Sequence, residues 1–556
     1  ARMGIPRMAE APDLAALAGQ RWDAIVVGTG MGGAAAGHAL ARAGWRVLFI
    51  EKGASHLRAG AHALTGEYAE SAFPRPAAPQ PGHAGILRRA GRSAEVIEDR
   101  SHASPRHFVP FVGAGTGGST ALYGMALERF FPADFAPRRN FPEASDSTLP
   151  ESWPISYEDL VPYYEAAEQL YRVRGTCDPL RRSESRDHFG RPPALTHLGS
   201  EIYGFLEGKG LHPYRLPMAC EFVAECACCQ GYLCPRNCKN DAARICLQPA
   251  LEQFGARLVD ECEVLRLEAT RSEVSGVVCV RHGAEATLRA NVVILAAGAL
   301  ETPALLLDSA SPDWPQGLAN ASGMVGRNLM RHYVDLHVIS PQAAGLPDNR
   351  QKELAFNDFY QTAAGKFGSV QSFGRLPPAP LLVESMEDDL RQALGAWAPV
   401  LFRLAKPAVK SFLARLLERS VILASTLEDL PYADNRVESM GRRAGGGQVA
   451  IRYRIRPHDT ARIAEFRRLV SGALKPYRTM LLKQAENNQR IAHVCGTCRF
   501  GTQPADSVLD ANNRAHGLGN LYVVDASFFP SSGGTNPSLT IAANALRVAA
   551  HLAAGK

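Results

Sequence analysis

The sequence predicts an α/β fold nucleated by a parallel sheet, on three observations. A short apolar run, Ala24-Ile25-Val26-Val27, passes directly into the turn Gly28-Thr29-Gly30-Met31-Gly32-Gly33 and then an alanine-rich segment, Ala34–Ala43. A second apolar run, Arg46–Ile50, ends on Glu51. A third, Val292–Leu295, is again followed by a glycine, Gly298. Strands covered on both faces read as unbroken apolar runs, and strand–helix–strand order is the mark of a parallel unit.

The first unit specifies its own chemistry. Gly28 permits the tight turn, Gly30 lets backbone approach a pyrophosphate, and Gly33 lets helix and strand pack closely. The helix N-terminus that follows offers N–H groups and partial positive charge to phosphate. Glu51, 18 residues beyond Gly33, is placed to accept from both hydroxyls of a ribose. A carboxylate there argues against a 2′-phosphate. A glycine turn without a ligand is the bland alternative; the strand–helix–strand context favours dinucleotide binding.

The 556 residues allow two large domains or three to four smaller ones. With 46% hydrophobic and 21% charged residues, disorder and fibrous repeats are excluded. A net charge of +6 is too small to imply a nucleic-acid partner, and none is expected. No run of about 18 apolar residues predicts a transmembrane helix. Ala1–Arg7 reads as a leader ahead of Met8, and the stretch to Trp22 has no signal-peptide pattern. A cytoplasmic location is expected.

Further segments carry a resemblance. Gly113-Ala114-Gly115-Thr116-Gly117-Gly118-Ser119-Thr120, Gly298-Ala299-Leu300-Glu301-Thr302-Pro303, Val325–His332 and His493–Ala550 are similar, in order, to the signatures of the glucose–methanol–choline (GMC) family of FAD oxidoreductases. The resemblance implies an FAD-binding Rossmann-like domain of GMC type, interleaved with a substrate domain of antiparallel sheet and helices. The FAD domain would be discontinuous, from 1–150, 220–330 and 490–556. The substrate domain would take 151–219 and 331–489. Gly117, Gly118 and Ser119 would line the flavin. Asp525, Ala526, Pro537 and Val264 are likewise assigned to the cofactor. Asp525 at a strand end also suits a helix cap. Tyr123 stands where the family commonly has Asn, a departure at a flavin contact. No family-type histidine lies in the Gly113–Tyr123 loop, so FAD is expected to be noncovalent.

By the same match, His493 is the family's motif histidine and Asn536 fills its His-or-Asn position. The chemistry agrees: a neutral imidazole can take a hydroxyl proton while hydride leaves carbon for the flavin. An amide can hold the same oxygen without competing for the proton. His332 and His516 are read as structural.

Seven of the 12 cysteines lie between Cys220 and Cys246. Without an export signal, such crowding points to metal or redox chemistry before a disulfide framework. Cys228, Cys229, Cys234 and Cys238 have the spacing C-C-x4-C-x3-C, which resembles the [3Fe–4S]-binding segment of bacterial FAD-dependent sugar dehydrogenases. Lys239, Asn240 and Asp241 depart from that pattern, and Cys220 and Cys226 are additional. Zinc, disulfides and free thiols stay open. Cys495 and Cys498 are read as packing.

In the middle of the chain, Phe356–Tyr360 and Ser369–Phe373 alternate like strands and are expected to line the pocket with aromatic and amide groups, Gln371 among them. Phe73–Gly85 reads as a surface excursion. Arg391–Arg419 is apolar at helical spacing and basic, with Pro399 and Pro407 dividing it. It suits either a roof helix with a solvated basic face or peripheral contact with a membrane. The expected activity is oxidation of a small-molecule alcohol, with electrons passed to a carrier protein or quinone. An oxidase using oxygen and a non-oxidative lyase of the same fold are the alternatives.

Overall fold

The computed structural model describes residues 13–57, 62–73, 81–181, 184, 186–340, 352–374, 382, 383, 390, 394, 395, 397–418, 420–443, 446–491 and 493–555. Its first sheet has a parallel centre of five strands, in the spatial order Arg257–Val259, Val47–Ile50, Arg21–Val27, Ala284–Leu295 and Leu521–Val523. Strand Ala284–Leu295 serves two purposes. Its C-terminal half pairs in parallel with Arg21–Val27. Its N-terminal half closes an antiparallel meander with Val274–Arg281 and Cys262–Ala269. The core strands are fully covered: Ala24, Ile25, Val26, Val47, Leu48 and Phe49 have no exposed surface. Helix Met31–Arg42 lies on this sheet, with the C-terminal helix Ser538–Ala554 against it. The expected α/β architecture is therefore present.

The second sheet is antiparallel and six-stranded: Arg478–Leu482, Tyr333–Ser340, Val421–Leu427, Gly368–Ser372, Leu354–Phe356 and Tyr214–Arg215. Helix Pro457–Ala473 roofs it with Ile463, Phe466 and Val470, and Phe466 stacks on Phe367 at 5.6 Å. A smaller sheet pairs Arg436–Arg443 and Gly446–Arg452 with Ile97–Asp99 and Arg106–Phe108.

Three local expectations change. The strand anticipated over Phe356–Tyr360 stops at Phe356, because Tyr360 N donates to Asn357 O at 2.8 Å and turns the chain. The basic amphipathic stretch is one helix, Ala398–Glu418, that runs through Pro407. Pro399 sits in its first turn, where a missing N–H costs nothing. Arg391 and Arg419 lie outside the described residues, as do the leader Ala1–Arg7 with Met8. Of the anticipated excursion Phe73–Gly85, residues 74–80 lie outside them too, and 81–89 begin a helix, Pro81–Arg89.

A buried charge cluster lies just past the end of strand Val421–Leu427. Lys366 Nζ contacts both Asp134 and Glu428, and all three side chains are at most 1% exposed. Burial pulls the Lys366 ammonium down, but the two carboxylates outweigh it and hold its pKa above the ordinary lysine value. Replacing Lys366 with Met would leave two carboxylates buried without a cation. Removal of one partner from a buried ion pair costs about 3–5 kcal/mol. Lys366→Met should lower unfolding free energy by about that much in urea melts. A change below about 1 kcal/mol would show that the cluster is not structural.

Candidate active site

One cavity of about 1920 Å³ joins the two sheets. Gly28, Gly30 and Glu51 from the first unit line it, with Gly118, Ser119, Val264, His493, Asp525, Ala526, Asn536 and Pro537. Gly33 and Gly117 stand behind the wall, where they set its shape. A Cβ on Gly33 would lie 2.2 Å from Gly28 O, so only glycine allows the helix this close to the turn. Gly28 has φ +98° and its Cβ would strike Ala296 O at 2.3 Å. A Cβ on Gly30, by contrast, would meet no atom within 4 Å. The cavity thus receives the N-terminus of helix Met31–Arg42 through bare backbone. It also receives the N-terminus of helix Ser538–Ala554, through Pro537 and Ser538. Two converging helix N-termini favour an anionic ligand.

Glu51 and Asp525 are held by the protein itself. Glu51 Oε2 accepts from the Thr29 amide (3.1 Å) and hydroxyl (2.6 Å), and Oε1 accepts from the amides of Gly53 (3.0 Å) and Gly115 (3.1 Å). Burial pushes its pKa up against these donors. Glu51 therefore ties the first glycine turn to the second. Asp525 Oδ1 caps the turn at Ser527 (N at 2.9 Å), the helix-cap alternative. Its Oδ2 accepts from Gly298 N (2.9 Å) and Thr302 Oγ1 (2.5 Å). Tyr123 lines the cavity, and its hydroxyl donates to Asn240 O at 2.6 Å.

His493 and Asn536 both face the cavity. His493 holds a left-handed backbone, φ +56°, which turns its ring off the chain. Its Nδ1 lies 3.0 Å from Nδ1 of His332, and His332 Nε2 lies 2.9 Å from Gly533 O. A carbonyl can only accept, so His332 carries its proton on Nε2 and its Nδ1 is a lone pair. His493 must then donate from Nδ1, which leaves Nε2 bare as a proton acceptor. Burial lowers both imidazoles. His332 falls to about 4, and His493 lies well below the ordinary value, lowered next by His332 and Lys352. Asn536 Oδ1 is buried without a hydrogen-bond partner.

Sequence reading treated His332 as structural, passed over Lys352 and Gln230, and placed Gln371 in a segment expected to line the pocket. All but His332 line the cavity. Lys352 is 7% exposed, and burial lowers its pKa to about 8. The amide oxygens of Gln230 and Gln371, like that of Asn536, are buried and unpartnered. The strand-like alternation of Ser369–Phe373 was the only signal pointing toward Gln371.

The cysteines gather outside this cavity, next to Tyr123. The sulfurs of Cys220, Cys226 and Cys238 all lie within 4.8 Å of one another. Cys226 is 3.6 Å from Cys220 and 3.3 Å from Cys238, and Cys234 is 3.5 Å from Cys238. Of the four cysteines named from spacing, only Cys238 belongs to the trio. Cys234 adjoins it, and Cys228 donates its amide to Cys226 Sγ at 3.5 Å. Cys229 packs with Tyr68 and Tyr232 and its thiol meets that of Cys234. Every cysteine is a free thiol, with Cys495 and Cys498 in the core.

Two family models described as GMC oxidoreductase match the chain, over residues 213–334 and 431–545. The chain is 30% identical to 6'''-hydroxyparomomycin C oxidase of Streptomyces lividus, across 96% of this chain and 92% of that one. It is 26% identical to 2-methyl-1,2-propanediol dehydrogenase of Mycolicibacterium austroafricanum, across 94% of each. Among solved structures it resembles pyridoxine 4-oxidase from Mesorbium loti, with a TM-score of 0.60 at 20% identity, covering 96% of this chain and 99% of that one.

The histidine pair makes a direct prediction. In nitrogen NMR of the labelled protein, both rings should stay neutral as pH falls through 6.5, the ordinary histidine value. His493 should read as the Nδ1–H tautomer, and His332→Phe should return it to a mixture. A ring that protonates near 6.5 would refute the arrangement.

Proposed function

The chain belongs to the GMC oxidoreductase family, and we propose that it oxidises a small hydroxylated molecule in this cavity, with His493 as base and Asn536 holding the reacting oxygen. Members of the family are flavoproteins that bind FAD and act on CH–OH groups. The residues here fit that cofactor: bare backbone at Gly30, two helix N-termini for the pyrophosphate, and a cavity long enough to join both glycine turns to His493. Gly28, Gly30, Glu51, Gly118, Ser119, Val264, Asp525, Ala526 and Pro537 would hold FAD, noncovalently. When bound, FAD supplies the hydride acceptor.

The observation that carries the reading is the bare Nε2 of His493, set by His332 and Gly533 O. An alcohol must lose its hydroxyl proton as hydride leaves carbon, and Nε2 is the cavity atom free to receive it. Because burial keeps the imidazole neutral, the base is ready without first losing a proton. Asn536 Oδ1, unpartnered, marks the neighbouring place for a polar ligand. Lys352, Gln230 and Gln371 would pair the remaining hydroxyls, which favours a polyol or sugar-like substrate over an apolar alcohol. An unpaired buried amide rejects a substrate that cannot satisfy it.

For the electrons we favour a carrier rather than oxygen. The sulfurs of Cys220, Cys226 and Cys238, within 4.8 Å of one another, are spaced to share one metal ion, and with Cys228, Cys229 and Cys234 the loop offers more than the three soft thiolates that a [3Fe–4S] cluster uses. Three of these six would hold such a cluster, and it would supply one-electron transfer. Direct use of oxygen is the second reading, favoured by the 30% identical relative, which is an oxidase.

Under anaerobic conditions a substrate alcohol should bleach the flavin. His493→Ala should slow bleaching by about 10²–10⁴-fold, and Asn536→Ala by a smaller factor, with flavin content unchanged. For the wild type, kcat/KM should stay level as pH falls through 6.5, since a base with a lowered pKa remains unprotonated there. No bleaching by any alcohol would leave a non-oxidative lyase. Iron and acid-labile sulfide on anaerobically purified protein decide the cluster: about three irons and four sulfides per chain support it, and flavin with neither, together with hydrogen peroxide formation, supports the oxidase.

A further inference from the structure

Helix Ala398–Glu418 has two apolar faces, and the protein uses one of them. Leu413 and Leu417 are buried against Leu336, Val338, Ile422 and Ala424 of the antiparallel sheet. The opposite face carries Val400 (60% exposed), Leu404 (83%), Ala408 and Phe412 (62%), each four residues from the last and therefore on one stripe. Trp397 (60%), one residue before the helix, extends that stripe. The single exposed Leu or Val of a soluble surface needs no explanation; a continuous stripe does. The same helix carries Arg403, Lys406, Lys410 and Arg415, against one acid at its last position, Glu418.

We propose that this face docks on the surface of an anionic lipid bilayer. An apolar stripe flanked by cations, with an aromatic at its end, is what lies in the plane of a membrane interface. Burying Trp397, Leu404 and Phe412 in the acyl boundary removes them from water, while lysine and arginine meet lipid phosphate. No helix among the described residues is long and apolar enough to cross a membrane, so the contact is peripheral. The helix sits on the sheet whose Val334 and Ala424 line the active cavity, beside the cavity residues Phe373 and Leu382. Docking would hold that wall of the cavity toward the bilayer. The inference stands on the helix alone and does not depend on the proposed reaction.

Purified full chain should float with vesicles of phosphatidylcholine and phosphatidylglycerol in equal parts, and less with phosphatidylcholine alone or in high salt. Leu404→Glu and Phe412→Glu together should weaken flotation by about tenfold or more. Both positions are exposed, so the variant should keep the wild-type melting temperature. Lys410→Glu with Arg415→Glu should remove the preference for the anionic lipid. Absence of flotation with either vesicle, or flotation that the apolar variant leaves unchanged, overturns the proposal. So does concentration-dependent self-association in sedimentation that the same variant abolishes, which would assign the face to a second copy of the chain.

Discussion

The ammonium of Lys366, sealed between Asp134 and Glu428, is the interaction on which the rest of the active cavity hangs. Tyr360 donates to Asp134 Oδ2 at 2.6 Å and accepts from Gly534 N at 2.8 Å. Gly534 O accepts from Ser369 N at 2.9 Å, and the neighbouring Gly533 O orients His332. His332 in turn fixes the proton on His493. The loop that carries Asn536 and the carbonyl of Gly533 is thus clamped by this buried charge cluster. Ionic groups without water interact strongly, and each also demands full pairing, so such a cluster tolerates little movement. Glu428 is followed by Asp429, which accepts from the Arg331 amide at 2.8 Å and is held at about 7 by burial. The same short segment therefore positions His332 from both sides.

The cofactor side of the cavity rests on a different constraint, close approach of backbone to backbone. Gly33 packs on Gly28, Gly28 on Ala296, and Gly53 on Gly115, each at a separation that a side chain would forbid. Glu51 then spans the two glycine turns with four accepted hydrogen bonds. Its carboxylate is at once a wall of the cavity and the strap that keeps the turns together. The wall's rigidity thus comes from covered amides, and its openness comes from glycines such as Gly30 and Gly298, where a Cβ would meet no atom within 4 Å.

Polarity changes across the molecule in a way that fits its geometry. The part of the cavity around Gln230, Lys352 and Gln371 gathers a lysine and amide oxygens unpartnered among the described residues, from segments that lie far apart in the chain. Helix Ala398–Glu418 packs on the cavity-lining face of the antiparallel sheet, where Ala424 meets both the helix cluster and the cavity, and turns an apolar stripe outward.

The sequence by itself determined the parallel nucleus, the two glycine turns, the strand-end carboxylate and the candidate pair His493 and Asn536. These features were legible because each depends on neighbours in the chain: a turn that only glycine can make, a strand buried on both faces, a motif carried by contiguous residues. The element ends moved by a few residues, as with Arg21–Val27 for an anticipated Ala24–Val27. What only the tertiary structure decided were the contacts between distant segments. His332 and His493 are 161 positions apart, and nothing local to either marks the other as its partner. Gln371 reaches the cavity through strand pairing in a sheet whose order no periodicity reveals, and Lys352 reaches it from just before the paired strand Leu354–Phe356. The thiol trio Cys220, Cys226 and Cys238 forms because the loop folds back on itself, bridging Cys220 to Lys239, whereas spacing alone grouped the cysteines that are close in sequence. Backbone requirements are written locally, and side-chain convergence is set by packing.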